Sequence, residues 1–187
     1  MNYKSVNIVL FLFLAISLST YAQKGSNRID KEFPTPISFP FDFLGNYSGN
    51  LRVSNATGTL ANHPTEFSIK ETETKGEFVY SISYFIGKEK QAINYQLRTI
   101  DQDKGFYAIK DDSGMEFTAI QIENILYSTV EIDNTILFTT LHFTNDEKVR
   151  LNIFLSEKVT VNKKNKNQAK SANIVLMQKA VFSKVYN

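Results

Sequence analysis

The chain has no cysteine and no tryptophan, two histidines, and four prolines in 187 residues. Without cysteine there is neither a disulfide framework nor a lipid-modified thiol, so a hydrophobic core alone must hold the fold. Two histidines and no thiol leave little with which to build a zinc or haem site. Zinc-protease, nucleophile-elbow and phosphate-loop motifs are also missing, so no catalytic residue and no cofactor is assigned. Charge of one sign is lacking too. Lys and Arg number 21 against 19 Asp and Glu, and this balance gives no basic field of the kind that binds nucleic acid.

A long apolar run occurs once, in "VNIVLFLFLAISL" near the N-terminus. With Lys4 before it and the small-residue stretch "STYAQ" after it, residues 1–22 read as a secretory signal cleaved after Ala22. The run is shorter than the roughly 18 to 20 residues of a membrane span. The expectation is a secreted or periplasmic protein with no transmembrane segment after cleavage. Its length of about 165 residues suffices for one domain. One lysine-rich stretch, "EKVTVNKKNKNQAKSA" at 157–172, departs from the mixed charge and reads as a solvated loop.

From Tyr47 onward the apolar period is two, the mark of strands with one dry and one wet face. Phe78, Tyr80, Ile82, Tyr84 and Ile86 share a face in "FVYSISYFI". Ile93, Tyr95 and Leu97 do so in "AINYQLR", and Val149, Leu151, Ile153 and Leu155 in "KVRLNIFL". Turn signals such as "ETKGE", "DQDKG", "DDSG" and "TNDE" recur about every ten residues, which implies consecutive antiparallel hairpins. The predicted strands lie near 47–54, 65–72, 77–86, 91–99, 105–110, 115–122, 125–132, 135–143, 148–157 and 172–184. So long a meander twists and would leave two unpaired edges, which closure removes. The predicted fold is therefore all-β, an antiparallel up-and-down barrel of about eight to ten strands spanning 44–187. A two-sheet sandwich is the alternative. Residues 23–43 form a lead-in with three prolines and several phenylalanines. Some of Phe33, Phe39, Phe41 and Phe43 are expected to cover one barrel end.

The stretch "FLGNYSGNL" resembles the opening of calycin-type barrels, the group that includes lipocalins and fatty-acid-binding proteins. There a Gly-x-Trp, often followed by a second glycine, marks the first strand. Gly45, Tyr47 and Gly49 match it, with tyrosine in place of tryptophan. The resemblance implies that Tyr47 fills the closed end beneath a basic side chain of the last strand, either Lys179 or Lys184. Both glycines are expected to permit a sharp strand bend at that corner.

Aromatic content is the remaining signal, with nine tyrosines and fifteen phenylalanines. Tyrosines on one face give a barrel interior both flat apolar surface and hydroxyls, the usual mixture of a small-ligand pocket. The candidate ligand-binding residues are Tyr80, Tyr84, Tyr95, Phe138 and His142. His142 shares a face with Ile136, Phe138 and Thr140, while Leu137, Leu141 and Phe143 make the opposite face equally apolar, so the sequence leaves its direction open. His63 precedes Pro64 and reads as a solvated loop residue. Asp101, Asp103 and Asp112 only superficially follow calcium-loop spacing and read as hairpin turns, as do Asp111 and Asp112. Asn46-Tyr-Ser and Asn55-Ala-Thr fit the glycosylation sequon. The leading functional expectation is an exported, non-enzymatic barrel that holds a small, mostly apolar molecule. The alternatives are a filled barrel that docks an envelope protein, and a calycin-like isomerase or cyclase.

Overall fold

The computed structural model describes residues 38–158 and 171–186. The expected signal segment, most of the lead-in with Phe33, and the lysines at 163, 164, 166 and 170 lie outside the described residues.

One 3-10 turn, Phe41–Phe43, leads into ten strands. These are β1 (Gly45–Asn55), β2 (Gly58–Glu71), β3 (Glu77–Ile86), β4 (Glu89–Asp101), β5 (Phe106–Asp111), β6 (Glu116–Ile122), β7 (Ile125–Ile132), β8 (Thr135–Thr144), β9 (Lys148–Lys158) and β10 (Ala172–Val185). Each strand pairs antiparallel with its neighbour in sequence, and β1 closes on β10. The fold is thus the predicted all-β up-and-down barrel, with no α-helix among the described residues. The sandwich alternative is excluded because no edge strand remains. Among the described residues no helix is long and apolar enough to cross a membrane.

The strands follow the alternation in the sequence. Phe67 and Ile69 of β2, Phe78 and Tyr80 of β3, Leu97 of β4, Tyr107 and Ile109 of β5, and Val149 and Leu151 of β9 are all buried in the interior. Arg52, Lys70, Arg98, Lys110 and Arg150 lie exposed on the outside. This polarity is the reverse of a lipid-spanning barrel, whose outer band is apolar. One strand is longer than its alternation suggests. β2 begins at Gly58, so His63 and Pro64 belong to a strand and not to a loop. Pro64 lies opposite Asn50 and one residue before the β2–β3 ladder begins at Thr65, so no bond to β3 needs the N–H it lacks.

The described part of the lead-in, residues 38–43, closes one end. Phe39, 2% exposed, sets its ring 5.4 Å from Tyr107 and 5.1 Å from Phe143, and Phe43 lies 4.8 Å from Phe143. Phe41 is exposed but packs its edge on Phe78. Each ring buried this way contributes roughly 1.5 to 3 kcal/mol relative to exposure. Beneath them Tyr47, 2% exposed, donates its hydroxyl proton to the Phe43 carbonyl at 2.8 Å.

The register decides which lysine stands over Tyr47. Lys184 is its cross-strand partner in β10, whereas Lys179 pairs with Arg52 on the outer face. The two glycines have different reasons. Gly45 has φ of 142°, a conformation that side chains rarely adopt, and a Cβ there would meet Lys184 Cε at 3.2 Å. At Gly49 the constraint is close approach, since a Cβ would come within 2.1 Å of the Val181 carbonyl oxygen. Gly49 therefore lets β1 and β10 meet and close the barrel.

Candidate functional site

Phenylalanine side chains pack one end of the barrel, and toward the other end the interior keeps a cavity. A cavity of about 120 Å³ lies between β3, β4 and β5 on one side and β7, β8 and β9 on the other. Inward-facing residues alternate along each strand, so the same periodicity that builds the core also supplies the cavity wall.

One wall is aromatic. Tyr80 and Tyr95 are direct cross-strand partners and stack with centroids 4.7 Å apart and planes 16° apart. Phe117 extends this wall into β6. The opposite wall is aliphatic, from Leu137, Leu141 and Ile153. Two hydroxyl side chains, Ser128 and Thr139, face the cavity from paired positions of β7 and β8. Met115 and Ile132 also line it and are 37% and 41% exposed, so the cavity reaches solvent at the end away from the phenylalanine plug.

Asp111, the last residue of β5, sits at this mouth and is the one charged residue lining the cavity among the described residues. Its Oδ1 accepts from the Ser113 amide at 2.9 Å, the Ser113 hydroxyl at 2.6 Å and the Met115 amide at 2.9 Å. These bonds, led by that of the Ser113 hydroxyl, hold the carboxyl below its ordinary range, so it is ionised at neutral pH. The adjacent Asp112 turns away and accepts from the Asn94 amide at 2.9 Å. Burial pushes the Tyr80 phenol well up. Tyr95 is raised as well, by burial first and by the Asp111 charge second. Both phenols are therefore neutral and able to donate.

The structure separates the five candidate residues. Tyr80 and Tyr95 meet in the cavity wall. Tyr84 lies on the same inner face, opposite the buried Thr65, but packs against His63 at 6.3 Å and not against the cavity. Phe138 and His142 point outward, because Leu137, Leu141 and Phe143 supply the inner face of β8. Phe138 instead stacks between Tyr127 and Phe154, each 6.2 Å away, in an outer aromatic row. His142 stands opposite Arg150 on the same outer surface. His63, expected in solvent, occupies an inward position of β2. Asp111 was hidden by its turn context, although its phase with Tyr107 and Ile109 carries it inside.

The chain matches no protein-family model, and no curated protein matches it in sequence. Among solved structures it is similar to the S-type phycobiliprotein lyase of Guillardia theta. The likeness covers 77% of this chain and 89% of that one, with a TM-score of 0.53 and 6% sequence identity. At that identity the likeness is one of fold.

Proposed function

We propose that this barrel is a calycin-type carrier that binds a small, mostly apolar molecule in its open half. The observation that carries the reading is the cavity itself, walled by the Tyr80–Tyr95 stack and aliphatic side chains and reaching solvent beside Met115 and Ile132. Tyr47 at the plugged end, with Lys184 across from it, supports the calycin-type assignment. Size narrows the ligand. An engineered apolar cavity of about 150 Å³ admits benzene, so about 120 Å³ suits a single ring or short chain. A bulkier ligand would have to project from the mouth.

The test is a titration of the full chain with benzene followed by NMR. The expected result is saturable shifts at Tyr80, Tyr95 and Phe117, abolished by Ser128→Phe, which fills the cavity. Shifts that do not saturate, or that survive the filling substitution, would contradict the reading.

A second reading, docking of an envelope protein, draws support from the outer row of Tyr127, Phe138 and Phe154, with Phe138 37% exposed. Loss of partner capture on Phe138→Ser, with benzene binding intact, would favour it.

A further inference from the structure

The cavity is mostly apolar and carries one charged residue among the described residues. Asp111 stands at its mouth as the direct cross-strand partner of Tyr95, itself stacked on Tyr80. Among the described residues its Oδ1 accepts from the Ser113 amide, the Ser113 hydroxyl and the Met115 amide, and no bond is made to Oδ2. The nearby cations are committed elsewhere or face away. Arg98 and Lys110 lie on the outer face, and Arg98 pairs with Glu116 at 3.5 Å. A fixed negative charge thus borders a ring-sized apolar space with aromatic rings beside it.

We infer that the cavity selects a small protonated amine carried on an apolar, ring-sized body, an inference that rests on the carrier reading above. The ammonium would donate to Oδ2 of Asp111 and lie near the Tyr95 ring, while the apolar body fills the space toward Leu137, Leu141 and Ile153. Two attractions act in the same direction, a charge-assisted hydrogen bond and a cation–π contact. Ser128 and Thr139 offer hydroxyls deeper in the wall for a second polar group. A carboxylate ligand such as a fatty acid would bring like charge against Asp111 if its head group lay at the mouth, and its chain exceeds the space.

The experiment compares benzylamine, cationic at neutral pH, with benzyl alcohol, its neutral counterpart of nearly the same shape. Both are titrated into the full chain at low salt. Benzylamine is expected to bind about five- to tenfold more tightly, where tenfold corresponds to about 1.4 kcal/mol. Asp111→Asn keeps an Oδ1 acceptor for the turn and is expected to bring the affinities of the two probes to within about twofold of each other. If the two probes bind equally, or the preference survives Asp111→Asn, the charge inference falls and the carrier reading stands. If neither probe binds, both fall. Should the variant not fold, the wild-type spectrum still decides. Benzylamine must shift the Asp111 and Tyr95 resonances together, and shifts confined to other residues would overturn the inference.

Discussion

Gly49 of β1 and Val181 of β10 approach so closely that a single added methyl group would sit 2.1 Å from the Val181 carbonyl oxygen. The atom in the way is backbone, so it cannot swing aside as a flexible side chain would. Gly49→Ala must therefore part the two strands that close the barrel. The expected loss is at least about 2 kcal/mol, within the usual range for overpacking. Ser48→Ala, at an exposed neighbouring position, should change stability by less than about 0.5 kcal/mol. Urea melts of the two variants measure the difference.

Tyr47 separates packing from hydrogen bonding. Tyr47→Ala empties a site 2% exposed, and the expected cost is about 3 to 5 kcal/mol. Tyr47→Phe keeps the ring and loses only the bond to the Phe43 carbonyl, for about 0.5 to 1.5 kcal/mol. Equal losses in the two variants would show that the ring does not fill the plugged end.

Alkali offers an independent check on the same residue. Burial, with the charge of Glu147 second and Tyr186 third, pushes the Tyr47 phenol up to about 12 from an ordinary 10.0. A raised phenol favours the folded state only while it stays neutral. Its contribution to stability is whole below about pH 10 and is lost as the pH rises through 10 toward 12. Absorbance at 295 nm should show a tyrosine fraction that ionises late in the native protein and normally in urea. The Tyr47→Phe variant should lack part of that late fraction.

Phe138 and His142 test the direction of β8. Both face outward in the structure, so Phe138→Ala and His142→Ala should leave benzene affinity unchanged within about twofold. Tyr95→Ala should change it by more. A loss of binding at His142→Ala would place its ring against the ligand and contradict the strand phase.

Much of the fold was legible because alternation is unambiguous wherever one face is polar. β3, β4 and β9 announce their dry sides directly, and the even turn spacing demanded consecutive hairpins. β8 was illegible alone because both of its faces are apolar. The signal that resolves it lies in the next strand. The turn at 145–147 pairs Phe143 with Val149 and Leu141 with Leu151, so the unambiguous phase of β9 carries over to β8 and turns Phe138 and His142 outward. His63 was obscured by Pro64, which reads as a strand breaker although a proline just outside the β3 ladder can be tolerated. Asp111 was obscured in the opposite way. A carboxylate beside "DDSG" suggests a turn, and it is one, yet the strand phase also brings the side chain to the cavity. The hollow itself could not be read from residue types, because inner volume depends on strand number and stagger.

Diffraction from a crystal pressurised with xenon tests the central claim most directly, since xenon enters mostly apolar cavities of this size without needing polar contacts. The account predicts one ordered xenon atom between the Tyr80–Tyr95 pair and Leu137, absent in Ser128→Phe. An interior without xenon density there, in a crystal whose barrel is otherwise as described, would mean a filled barrel and would contradict the carrier reading.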